Sequence, residues 1–199
     1  MKIYYLNSNK LKDAQIDDIY RNAEPYRKLK YNTSKNDTAK RECMATDALI
    51  KLAVKDRIPS LIESPRTEHL DTGKLAFSNV DLDISVTHTS GHVFLALSEQ
   101  RIGIDAELIR EIDFDALNKR YFKYRNVNIA SSIDFFREWT RLESGFKVSN
   151  EARLDFTKAY DDFPSITTQH NNLIVTVSGT ELHESEDDII IHEFIAEEV

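Results

Sequence analysis

Between Arg101 and Lys147 the hydrophobic period changes from two to nearly four, and both parts of that stretch carry carboxylates on one face. Ile102, Ile104, Ala106 and Leu108 alternate with Gly103, Asp105 and Glu107. That alternation predicts a strand over 101–109 and sends Asp105 and Glu107 to the same side. Residues two apart on one strand face lie roughly 6.5–7 Å apart, near enough for both carboxylates to lean onto one cation. In the later part, Trp139, Glu143 and Lys147 follow i, i+4, i+8, so a helix over 131–147 stacks them along one face. Three carboxylates and a lysine from two elements suit a hard divalent ion with a phosphate ester. Oxygen ligands favour magnesium, and a lysine meets phosphate as a point charge.

The rest of the chain supplies a scaffold of mixed elements. Strands are expected at 2–6, 83–87, 92–98, 173–178 and 189–194, with a tight turn at 89–91. Residues 10–37 show weak periodicity and read as loop with one short helix. A clear amphipathic helix runs over 38–56: Ala45, Leu49 and Ala53 form one apolar row beside Met44, Ala48 and Leu52. Asp37 or Thr38 is its expected cap, and Pro59 follows its end. The segment 113–122 looks helical. Ile133, Phe136 and Trp139 give the later helix its apolar stripe, and Trp139 is expected in the core. An acidic loop is expected over 178–188. These patterns imply an α+β chain of one or two units.

Three segments resemble one known family. GIDAE at 103–107, followed by W-T-x-x-E-S-x-x-K at 139–147, is similar to the signature G-[IV]-D-x-[ED] … [FW]-x-x-K-E-[SA]-x-x-K of the 4′-phosphopantetheinyl transferases. Upstream, I-S-V-T-H-T-S at 84–90 resembles the family segment F-N-[IL]-S-H-[ST], with His88 at the histidine and Thr87 at the preceding serine. Gly73–Lys74–Leu75 partly matches a G-K-P segment, and L-N-K-R-Y-F at 117–122 is similar to one in which a basic pair precedes two aromatics. One core position departs, because Leu142 stands where the family has lysine.

The resemblance implies two similar α/β lobes forming a pseudo-dimer, 1–100 and 101–199, with the active site in the cleft between them. It implies transfer of the phosphopantetheine arm of coenzyme A to a serine of an apo acyl or peptidyl carrier protein. Mg2+, or alternatively Mn2+, would be held by Asp105, Glu107 and Glu143. Glu143 would serve instead, or through a water, as acceptor of the serine proton, and Lys147 would sit over the phosphates. His88 and Thr87 would contact the coenzyme, as would Lys74 and Arg41, with Lys40 the alternative to Arg41. Two other readings stand beside this one. The first is a degenerate relative that binds coenzyme A or a carrier without transfer, and the second is a magnesium-dependent phosphoesterase.

Composition narrows the partners. A net charge of −8 argues against nonspecific nucleic-acid binding. An anionic coenzyme and an acidic carrier then require local basic patches, for which Arg27–Lys28–Lys30, Lys40–Arg41 and Lys119–Arg120–Lys123–Arg125 are the candidates. The apolar runs are too short for a membrane span, and the start of the chain reads as a first strand rather than a leader. A single cysteine, Cys43, excludes an internal disulfide and fits a reducing, cytoplasmic setting. A chain carrying both lobes has no need of a second copy to complete its cleft, so a monomer is expected.

Overall fold

The chain is mixed α+β, and its computed structural model describes residues 1–123, 125, 127–182 and 190–199. Its first sheet has the order β4-β5-β1-β9, formed by Asp83–Thr89, His92–Ser98, Lys2–Asn7 and Ile191–Phe194. β9 runs parallel to β1, so the last strand returns to the sheet of the first half. The second sheet, β6-β8-β7, joins Ile102–Leu108, Leu173–Gly179 and Ser165–His170, all antiparallel. A small hairpin, β2 (Thr67–His69) with β3 (Leu75–Phe77), lies between the first long helix and β4.

Strand alternation sorts the side chains into layers. Ile3, Tyr5, Phe94 and Ala96 of the first sheet face Ile102, Ile104, Ala106, Val175 and Val177 of the second, giving a core between the sheets. The other face of the first sheet, through Tyr4, Leu6, Val93, Leu95 and Leu97, packs on α1 (Asp13–Asn22) and α3 (Asp37–Arg57). The outer face of the second sheet is covered by α5 (Ser132–Ser149), against which α4 (Phe114–Tyr121) packs, with Trp139 among the aromatic side chains of that third core. The order is helices, sheet, sheet, helices.

Local sequence explains the boundaries. Asn36 accepts the Ala39 N–H at 2.7 Å and caps α3, one residue before the expected Asp37 or Thr38. Asp113 caps α4 through Ala116, and Ser131 caps α5 through Asp134. The β4–β5 turn needs positive φ at Ser90 (51°) and Gly91 (87°), and a Cβ on Gly91 would collide with the Asn9 side chain.

Three expectations change. Residues 10–37 hold two helices, α1 and α2 (Pro25–Thr33). The signals were Ile16 and Ile19, both buried one turn apart, and Pro25 at a first helical position. β7 was not expected; its Ser-Ile-Thr-Thr run pairs with β8 through an Asn171–Asn172 turn in which Asn171 has φ 54°. On α5, Ile133 lies exposed and Phe135 takes its place in the core. Residues 183–188 of the expected acidic loop and Ile189 of the expected last strand lie outside the described residues. Among the described residues no helix is long and apolar enough to cross a membrane.

Candidate functional site

The approach of α5 to β6 builds the site. A Cβ at Gly103 would collide with the Ser144 carbonyl oxygen and come to 3.0 Å from Lys147 Cβ, so only glycine lets the helix lie this close. Two hydroxyl pairs fasten it to β8: Thr140 with Thr176 and Ser144 with Ser178, each at 2.7 Å. Held there, α5 presents Glu143 and Lys147 to the face of β6 that carries Asp105 and Glu107. Lys147 Nζ donates to the Ile104 carbonyl at 2.8 Å and to Asp105 Oδ1 at 2.9 Å.

Negative charge outweighs positive charge at this place. The Glu143 carboxyl makes no hydrogen bond among the described residues, and burial followed by the charges of Asp105 and Glu107 pushes it up to about 7 against the pull of Lys147. Burial also raises Glu107, aided by Asp105 and opposed by its hydrogen bond from Arg110 at 3.1 Å and by Lys147. An unpartnered carboxylate near neutrality, beside two more, is what a proton acceptor or an oxygen-ligated cation requires.

The donor set therefore fits a divalent ion in kind. All three groups offer oxygen, and their mutual repulsion is a shortage of positive charge that such an ion would relieve. Among the described residues no three His, Cys, Asp or Glu side chains already form a ligand cluster. Here the compensating cation is Lys147 itself, seated on one oxygen of Asp105.

Lys147 also lines a cavity of about 500 Å³ that reaches residues of both halves of the chain. Its wall carries the positive groups Arg27, Lys30, Lys74, Lys147 and Arg153, together with His88. Arg27 is only 4% exposed, and its Nε and Nη2 are buried without hydrogen-bond partners among the described residues. A buried, unsatisfied guanidinium in a cavity wall calls for an anion. His88, 47% exposed in its side chain, places Nδ1 at 3.1 Å from Glu42 Oε2, while Glu42 Oε1 accepts the Gly91 N–H at 2.7 Å.

The expected residues divide into those gathered at the site and those engaged elsewhere. Asp105, Glu107, Glu143 and Lys147 lie together, and His88 and Lys74 line the adjoining cavity. Lys74 is nevertheless held by Asp83 at 2.6 Å and by the Ile102 carbonyl at 3.1 Å. The Thr87 hydroxyl donates to Asp105 Oδ1 at 2.9 Å, beneath the carboxylate. Arg41 pairs with Asp13 at 2.8 Å and with the Leu11 carbonyl, which turns it toward α1.

Leu142, at the family lysine position, is 0% exposed within the third core, where a lysine would lose its water. Arg27, Lys30, His69, Arg153 and Glu42 were not among the expected site residues. The Arg27–Lys28–Lys30 patch was the available signal for the first two, whereas Glu42 and Arg153 join the site only by folding. The chain matches no family model and no curated protein.

Proposed function

We propose that this chain transfers the phosphopantetheine arm of coenzyme A to a serine hydroxyl of an apo carrier protein. The observation that carries the reading is the cation-lined cavity of about 500 Å³ sharing Lys147 with three neighbouring carboxylates. Its volume lies in the range of small-molecule sites, and its charge opposes the chain's net −8. The order helices–sheet–sheet–helices is compatible with two α/β lobes meeting at the cavity, but β9 (Ile191–Phe194) pairs with β1, so the unit expected over 101–199 gives its last strand to the sheet of the unit expected over 1–100.

In this reading Arg27, Lys30 and His88 bind the phosphates of the coenzyme, the buried guanidinium taking the most deeply placed anion. Lys147 moves from Asp105 toward the pyrophosphate, so its ammonium serves resting carboxylate and bound substrate in turn. The serine oxygen forms a bond to the phosphorus that carries the pantetheine arm. The bond from that phosphorus to the bridging oxygen breaks, and 3′,5′-adenosine bisphosphate leaves with the electron pair. Glu143 takes the serine proton, directly or through a water, which suits a carboxyl held near neutrality. Asp105, Glu107 and Glu143 would hold Mg2+ or Mn2+, which when bound supplies Lewis-acid neutralisation of the pyrophosphate.

The test is the intact mass of apo carrier proteins after incubation with this protein, coenzyme A and Mg2+. A gain equal to the phosphopantetheine arm, lost without metal and in Glu143→Ala, is expected. No gain on fatty-acid, polyketide or peptide carriers, with calorimetry still showing coenzyme A binding, would replace the transferase by a binding module. The seating of Lys147 on Asp105 favours that second reading, because it already satisfies the carboxylate a metal needs.

A further inference from the structure

β6 stands at the edge of its sheet, yet its outer edge is buried: Ile102 is 1% and Ile104 0% exposed. An edge strand leaves alternate N–H and C=O groups without strand partners, and buried backbone groups must find others. Side chains supply them. The Ile102 N–H donates to Asp83 Oδ2 at 2.7 Å and the Ile104 N–H to Ser85 Oγ at 3.0 Å. The matching carbonyls accept from lysines, Ile102 from Lys74 at 3.1 Å and Ile104 from Lys147 at 2.8 Å. A third rung, from Thr87 Oγ1, reaches the Asp105 carboxylate itself at 2.9 Å.

The two strands keep step. Asp83, Ser85 and Thr87 occupy alternate positions of β4 and so share one face, whereas a slip of one residue would oppose β6 with Ile84 and Val86. Because the bonds run through side chains, β4 stays in its own sheet while gripping a strand of the other. The residue after Thr87 is His88, on the cavity side. One strand thus sets the position of Asp105 and presents the histidine of the cavity wall.

We propose that Asp83 and Ser85 are positioning residues for Asp105: their side chains replace a missing neighbour strand along β6 and fix where that carboxylate is presented. Lys74 belongs to the same device, tying Asp83 to Ile102 rather than serving a substrate phosphate. The proposal rests on the reading of Asp105 as a metal-holding carboxylate, and its test separates the two. Ser85→Ala removes the acceptor of the Ile104 N–H, and Ser85→Thr restores a hydroxyl. Three readouts apply: amide exchange at Ile104, the 13C resonance of the Asp105 carboxyl, and Mn2+ affinity by water-proton relaxation.

In Ser85→Ala, exchange at Ile104 should accelerate, the Asp105 resonance should move, and Mn2+ should bind roughly tenfold more weakly, as when a partner of a ligand is lost. Ser85→Thr should return all three toward the native values. Faster exchange with an unmoved Asp105 resonance and native Mn2+ affinity would reduce the ladder to a structural support and overturn the proposal. If the native protein itself binds no Mn2+, the metal reading fails, and the Asp105 resonance alone decides: moved supports positioning, unmoved overturns it. Should Ser85→Ala not fold, Ser85→Cys keeps the size, weakens the acceptor and is judged by the same readouts.

Discussion

Lys147 Nζ stands 2.9 Å from Asp105 Oδ1, joining the C-terminal half of α5 to the middle of β6. Asp105 is buried and Lys147 half-buried, so each neutralises a charge that the interior would otherwise penalise. Removing one partner leaves the other desolvated and alone.

Lys147→Met should therefore destabilise the fold by roughly 2 kcal/mol, the range for a hydrogen bond to a charged group. The double variant Asp105→Asn with Lys147→Met should recover part of that loss, because Asp105 is then no longer a buried charge without its partner. Urea denaturation of the two single variants and the double variant checks this. Strictly additive losses would mean that the pair is not coupled.

Glu143 gives a pH dependence of definite sign. Its folded carboxyl is raised from 4.5 to about 7, so between those values the native state holds a proton that the unfolded state has released. Stability is then greatest below 4.5 and falls as pH rises through 7, by on the order of 2 kcal/mol for this group. Glu143→Gln should remove that fall, making the variant more stable than the parent at pH 8 and similar at pH 4. Denaturation midpoints at both values check it, and a variant weaker at pH 8 would reverse the argument.

Glu42 behaves in the opposite way. Burial alone would raise its carboxyl, but the hydrogen bonds from His88 and the Gly91 N–H, with the charges of His88 and His92, hold it below 4.5. Its stabilising contribution is complete above 4.5 and lost as pH falls through the depressed folded value. Glu42→Ala should cost about 2 kcal/mol at pH 7 by orphaning the Gly91 N–H, and Glu42→Gln should cost less. Thermal melts at pH 7 compare them; equal losses would leave the carbonyl oxygen of the glutamine without a role.

Leu142→Lys, which restores the residue of the resembling motif, should destabilise by about 3 kcal/mol or more, since it buries an ammonium among Phe122, Phe136 and Tyr160. Leu142→Met should cost under about 1.5 kcal/mol because volume is conserved. Chemical denaturation distinguishes them. A Leu142→Lys variant as stable as the parent would show that the helix face turns outward.

Much of the local structure was legible in the chain. The alternation at Ile102–Leu108 announced a strand with Asp105 and Glu107 on one face, and the spacing of Glu143 and Lys147 announced one helix face. Both are present in β6 and α5. The helices at Asp13–Asn22 and Pro25–Thr33 were harder to see, because each is short and buries few side chains. A short helix draws its stability from the surface it packs on rather than from its own propensity.

The sequence by itself determined which residues share a face, since strand and helix periods are properties of the local backbone. It also put Gly103 in the strand that carries Asp105, although the need for glycine there appears only when the Ser144 carbonyl of α5 arrives. Tertiary structure alone decided that Arg41 turns to Asp13, that Thr87 supports Asp105, and that Arg27 enters a cavity wall. Those outcomes depend on which sheet edge lies beside which strand. Such contacts join residues far apart in the chain, and no local period encodes them.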